Sequence, residues 1–226
     1  MDVTLLAYTP EPEKTVAAAA RLCYSPLSGS ELLEHLDEEQ VQEFLTRLIS
    51  QGHESPFEHA SFTFSIDGVS RALSHQLVRH RIASFSQKSQ RYVTEDGFAY
   101  VMPPSIASNK EHKHAFEQLM YEIMRQYSAF LSSGIPAEDA RFILPNATAT
   151  NLMLTMNARS LHNFFRLRCC RRAQAEIRQL AQLMLTEVKK VAPGLFTKAG
   201  PSCIAEGICH EGKMTCGQMQ VPMRDR

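Results

Sequence analysis

Charge imbalance is the first thing this sequence lacks. Its 226 residues carry 24 Lys and Arg against 24 Asp and Glu, a formal net charge of zero. Nucleic-acid binders spread an excess of cations over a whole face, so no nucleic-acid partner is expected. No window approaches the run of ~20 apolar residues that spans a bilayer, so no membrane association is expected either. The opening residues Met1-Asp2-Val3-Thr4-Leu5-Leu6 have no basic region before their apolar ones. They read as a first strand and not as a secretory signal, which makes a cytoplasmic location the expectation. Glycine is sparse, and no Gly-x-Gly-x-x-Gly follows any strand, so a Rossmann-type phosphate loop has no support. Internal repeats and low-complexity linkers are absent as well. The 6 cysteines include no Cys-x-x-Cys pair. Without an export signal they read as reduced thiols and not as a disulfide framework. Cys203, Cys209, Cys216 and His210 supply the ligand types of a structural zinc, but their spacing fits no standard finger or ribbon, and no metal is expected.

What is present is ordinary for a globular chain: 44% hydrophobic and 21% charged residues. Asp37-Glu38-Glu39-Gln40 leads into Val41, Phe44, Leu45, Leu48 and Ile49, an amphipathic helix with acids at its start and Gly52 at its end. Ser61 to Asp67 alternates polar and apolar residues, the pattern of a half-buried strand. Gly68 is expected to turn the chain into a helix over Val69 to Val78, closed by Arg79 to Arg81. A short strand over Phe98 to Met102 precedes Pro103-Pro104. A long helix runs from about Asn109 to Gly134, and a strand is expected over Thr148 to Met156. Two helices follow, Ser160 to Leu167 and Ala173 to Val191. The result is an α+β chain with a mixed or antiparallel sheet and long flanking helices. One domain over 1–200 is expected, with a Cys-containing tail over 201–226.

The segment Arg79-His80-Arg81-Ile82-Ala83-Ser84-Phe85-Ser86-Gln87-Lys88-Ser89-Gln90-Arg91 concentrates three Arg, a His and a Lys among hydroxyl and amide side chains. On a neutral protein this is a local field aimed at a small anion. Arg suits bidentate recognition of phosphates, carboxylates and base edges. A solvated helix end followed by a polar turn is the alternative.

Arg79-His80-Arg81, then seven intervening residues, then Ser89, resembles the signature of flavin-dependent thymidylate synthases. Four further blocks resemble that family in order: His53-Glu54-Ser55-Pro56-Phe57-Glu58-His59, Ala140-Arg141-Phe142-Ile143-Leu144-Pro145, Asn157 to Phe164, and Leu167-Arg168 with Ala173 to Arg178. The resemblance implies the family's fold. It also implies conversion of dUMP to dTMP with methylenetetrahydrofolate as carbon donor and NADPH-reduced FAD as reductant. A homotetramer with active sites at subunit junctions is implied too.

Carried over residue by residue, the resemblance makes Arg168 the catalytic group, a guanidinium against the pyrimidine that stabilises charge developing on the ring. The dUMP set is Gln76, Arg79, Gln87, Ser89, Arg91 and Arg141, with Arg168. The FAD set is His53, Ser55, Glu58, Arg79, His80, Arg81, Gln87, Asn157, Arg159 and Asn163. Arg and His beside the flavin would stabilise its anionic reduced form. Asn157 equally suits a helix cap, His53 a helix C-terminus, and Arg166, Arg171 and Arg172 a solvated basic face. Gln87 stands where some relatives place an acid, and Arg172 where some carry a histidine. Two other classes share parts of this pattern: a nucleotide and flavin carrier without turnover, and a metal-stabilised RNA-binding module.

Overall fold

The structure, a computed structural model, describes residues 1–219. The elements in chain order are β1 (Asp2–Tyr8), α1 (Pro12–Leu22), α2 (Gly29–His35), α3 (Glu38–Gln51), β2 (Ser61–Ser70), α4 (Arg71–Leu77), β3 (Ser84–Gln87), α5 (Pro104–Ala107), α6 (Lys110–Ser132), α7 (Ala137–Ala140), β4 (Ala149–Asn157), α8 (Ala158–Arg168), α9 (Ala175–Val191) and α10 (Ser202–Ala205). Short 3-10 turns occupy Ser55–His59, Arg141–Ile143 and Gly212–Met214. The sheet order is β1-β2-β4-β3. The α+β class with an antiparallel sheet is therefore as the sequence implies. Of the expected tail, residues 220–226 lie outside the described residues. Among the described residues no helix is long and apolar enough to cross a membrane.

The chain forms two compact units. One comprises residues 1–2, 65–79 and 85–153; the other comprises 3–64, 80–84 and 154 onward. In the second unit, alternation places Phe62 and Phe64 of β2 and Leu154 and Met156 of β4 in the core, all at most 2% exposed. The Thr63 and Thr155 hydroxyls bond across the two strands at 2.9 Å. Helix α3 starts on a reciprocal capping box of Asp37 and Gln40 and stops at Gly52, whose φ of 70° suits a residue without a Cβ. Phe196 is the aromatic centre, 5.4 Å from Phe62, 5.2 Å from the stacked His162 ring and 6.0 Å from Phe165. These contacts fix α8, whose Leu161, Phe164 and Phe165 are fully buried.

In the first unit, α6 starts on Asn109, whose carboxamide oxygen accepts from the Glu111 and His112 amides. Its Tyr127 is fully buried, and the Tyr127 hydroxyl oxygen accepts from the Glu95 amide at 3.2 Å. Two expectations need correction here. Strand β2 runs through Gly68 to Ser70, and α4 begins at Arg71 because the Ser70 hydroxyl caps it by accepting from the Leu73 amide. Phe98 to Met102 is no strand. Only Tyr100 pairs, with Thr148, because the Gly97 turn and Pro103-Pro104 leave no room for a longer ladder. Sequence periodicity also passed over α1, α2 and the four residues of β3.

Truncating the aromatic centre is the direct test of this packing. Phe196→Ala should destabilise the protein by about 3–5 kcal/mol in urea unfolding. Tyr24→Ala, at a residue 82% exposed, should stay within about 0.5 kcal/mol.

Candidate active site

Helix α8 carries most of the chemistry of the second unit. The Asn157 side chain caps it, accepting from the Ser160 amide at 2.9 Å, so the capping reading of Asn157 is realised by its oxygen. The buried face of Leu161, Phe164 and Phe165 leaves Arg159, His162, Asn163 and Arg166 together on another face, at helical spacing. These four residues line a cleft of about 490 Å³ with Leu48 to Gly52, Glu54, Phe57, Lys198, Gly200, Ala205 and Glu206. Arg159 pairs with Glu58 and lies 3.6 Å from Glu54, and these carboxylates raise its pKa. Arg166 donates to Asn163 Oδ1 at 3.0 Å and to Glu206 at 2.9 Å. His162 is held between Phe57 and Phe196 and bonds the Leu195 carbonyl at 2.9 Å, and burial lowers its pKa. Of the FAD set, Arg159 and Asn163 line this cleft and Glu58 holds Arg159; His53 and Ser55 are exposed nearby in sequence. His162, Arg166, Glu54 and Lys198 were missed as cleft residues. The repeat Arg159, His162, Asn163, Arg166 was the signal that would have found them.

At the end of α8 the half-buried Arg168 donates through Nε to His80 Nε2 at 3.1 Å. The His80 ring also meets Phe164 edge to face, with centroids 5.0 Å apart. Burial first, and then the Arg168 guanidinium, push the His80 imidazole down from 6.5 to about 4. Reading His80 as a cation of the basic segment is thereby corrected: at neutral pH the ring is uncharged and its Nε2 is an acceptor. Burial also lowers the Arg168 pKa, yet a guanidinium stays charged at neutral pH. Arg79 and Arg81 are exposed and lie beyond α4, which ends at Leu77. They do not close a helix into a pocket as expected, because the chain turns at Val78.

The first unit holds the other predicted anion ligands. Arg91 pairs with Glu138 at 3.0 Å, and Arg141 Nε donates to the Glu138 carbonyl at 3.0 Å. Arg91 thus meets the carboxylate, and Arg141 the backbone carbonyl, of Glu138, a residue the sequence left unassigned. The Arg91–Glu138 pair is half-exposed, and such pairs contribute about 0–1 kcal/mol, so an arriving phosphate can displace the carboxylate. Ser89 Oγ accepts from the Arg91 amide at 3.2 Å. Gln87 donates to Thr150 Oγ1 at 3.3 Å, and Gln76 is half-buried on α4. Arg71, also missed, donates to the Lys88 carbonyl at 2.7 Å and holds the chain just past β3, next to Ser89. Lys88 itself pairs with the buried Glu95 at 3.0 Å.

The Arg168–His80 contact has a titration signature. Because the folded-state value of His80 lies below 6.5, its neutral form stabilises the fold fully above that pH. The contribution is lost as pH falls from 6.5 through about 4. In Arg168→Ala the His80 value should rise toward 6.5 without reaching it, since burial, the larger cause, remains. Imidazole NMR titration reads this directly, and an unchanged value contradicts it.

The family model described as thymidylate synthase complementing protein matches residues 4–194. The flavin-dependent thymidylate synthase of Clostridium tetani is 53% identical over 234 aligned residues, covering 96% of this chain and 94% of that protein. That of Geobacter sulfurreducens is 55% identical over 220, with the same coverage of each chain. Among solved structures, the UMP/dUMP methylase PolB from Streptomyces cacaoi bound with 5-Br dUMP superposes with a TM-score of 0.73 at 28% identity. That match covers 88% of this chain and 95% of PolB. With five ordered motif blocks, a family model matching residues 4–194 and relatives above half identity, this chain belongs to the flavin-dependent thymidylate synthase family.

Proposed function

We propose that the protein converts dUMP to dTMP, taking carbon from methylenetetrahydrofolate and reducing power from NADPH through bound FAD. The observation that carries this reading is Arg168, a cation presented by α8 and engaged by a neutral imidazole. A guanidinium against the uracil stabilises negative charge on the ring and so activates carbon 5. No thiol nucleophile is needed. The neighbouring Cys169 is buried and its thiol is pushed up to about 11, which leaves it protonated. The neutral His80 Nε2 holds Arg168 in orientation without adding a like charge.

The α8 cleft suits FAD by its donor set. Arg159, Arg166 and Lys198 can meet the pyrophosphate, Asn163 and His162 the polar chain or ring edge, and Leu48, Ile49 and Phe57 apolar ring surface. When bound, the flavin supplies the reducing equivalents. His53, Ser55, Arg79, Arg81, Gln87 and Asn157 complete the flavin set in this reading, with Glu58 holding Arg159. Arg91, Arg141, Ser89, Gln87, Gln76 and Arg79 receive the dUMP phosphate, with Glu138 yielding Arg91 to it.

The same reading makes the protein a homotetramer whose subunits share sites. Ile82, Tyr92 and Phe142 are 75%, 81% and 81% exposed, and each adjoins a proposed ligand residue: Arg81, Arg91 and Arg141. Large apolar side chains beside ligand-binding cations suit a face that a second subunit covers. A place in the cytoplasm follows from the nucleotide substrate.

Arg168→Ala should cut thymidylate formation by about 10²–10³-fold or more while FAD still binds. Turnover at the parental rate would remove Arg168 from the chemistry. Arg91→Ala should weaken dUMP at least tenfold, about 1.4 kcal/mol, and leave FAD affinity unchanged in equilibrium titrations. Equal losses of both ligands would contradict a phosphate role.

A further inference from the structure

We propose that Cys170, Cys203, Cys209 and Cys216 form a tetrahedral thiolate site for a structural zinc ion, which clamps the tail onto the end of α8. The sequence spacing argued against a metal because the tail cysteines and His210 fit no standard finger or ribbon and no Cys-x-x-Cys pair is present. The fold adds a thiol from outside the tail. Cys170 comes from the corner after α8, and all four side chains line one pocket of about 240 Å³, together with Arg166 and Arg171. None of the four is in a disulfide, and Cys209 Sγ donates to Thr215 Oγ1 at 3.5 Å. Cys169, the other member of the adjacent pair, is buried in the core and takes no part.

Four features suit this pocket to a soft divalent cation. Zinc takes four thiolates in closed structural sites. Its binding would release the four thiol protons and leave the centre with two negative charges; Arg171 lines the pocket beside it, while Arg166 is already paired with Glu206. The Arg172 amide already donates to the Cys170 sulfur at 3.4 Å, the kind of outer hydrogen bond that orients thiolate ligands. Gly207, Gly212 and Gly217, all at positive φ, follow the three tail cysteines and let the backbone turn tightly around a centre. As they stand, no three described His, Cys, Asp or Glu side chains converge on a point that could hold an ion. Zinc binding therefore requires the sulfurs to rotate inward, and the pocket between them provides the room.

The site would have a structural consequence. The segment it clamps includes Glu206, which accepts from Arg166 and bonds His210 at 2.9 Å. Lys198, Gly200, Ala205 and Glu206 form one wall of the α8 cleft. Zinc would thus hold the wall of that cleft in place from behind.

The test is elemental analysis of the full chain, expressed with zinc supplied and purified under reducing conditions without chelator. About one zinc per chain is expected. Cys203→Ser combined with Cys216→Ser should reduce zinc to background while circular dichroism retains the parental helix content. Because that variant could fail to fold, the unmutated chain is also loaded with Co²⁺, which should show thiolate-to-cobalt charge transfer and the intense visible bands of a tetrahedral sulfur site. A metal-free chain whose tail thiols react freely in the native state overturns the proposal. So does an iron chromophore, a disulfide among the four, or zinc retained in the double variant.

Discussion

A half-buried cation is best held by something that does not carry its own sign. Arg168 meets that constraint through His80. The imidazole sits against Phe164 and beside a guanidinium, so both burial and charge oppose its protonation, and it is left as a neutral acceptor. The arrangement depends on the rotation of α8, which the fully buried Leu161, Phe164 and Phe165 set against Phe196. The same rotation brings Arg159, His162, Asn163 and Arg166 to the cleft. One packed helix face therefore decides both where Arg168 stands and which residues line the α8 cleft.

Much of the fold was legible because its strongest signals are local. Phe62, Phe64 and Ile66 announce a half-buried strand by alternation, Asp37 and Gly52 bracket α3, and Asn109 caps a helix that ends near Gly134. The misses occurred where tertiary pairing decided the outcome. Gly68 looked like a turn but lies within β2, where glycine adopts the positive φ without a Cβ penalty and its amide donates to Asn151 Oδ1. Phe98 to Met102 had strand composition and found a partner for one residue only. β3 hid inside a segment whose charges drew the eye, Ser84 to Gln87 being too short to show a period.

For the site, the family motifs pointed to Arg168, Arg159, Asn163, Arg91 and Arg141, and the structure gives each a defined polar partner. What motifs could not reveal is the pairing itself. Nothing in Arg79-His80-Arg81 says that the middle residue is the uncharged one, since that follows from burial beneath a helix that begins at Ala158. Glu138 is invisible in the same way: its carboxylate meets Arg91 only because the fold brings the two together across 47 residues of sequence. The thiols show the limit most plainly, because Cys170 lies far in sequence from the tail it faces across one pocket.

The most direct test of the account is the visible spectrum of the FAD-loaded protein under anaerobic NADPH, recorded with and without dUMP. The account predicts a flavin band that bleaches, and bleaches faster when dUMP is present, because the proposed reaction couples the two ligands. A protein that takes up no flavin, or one whose flavin reduction ignores dUMP, would contradict it.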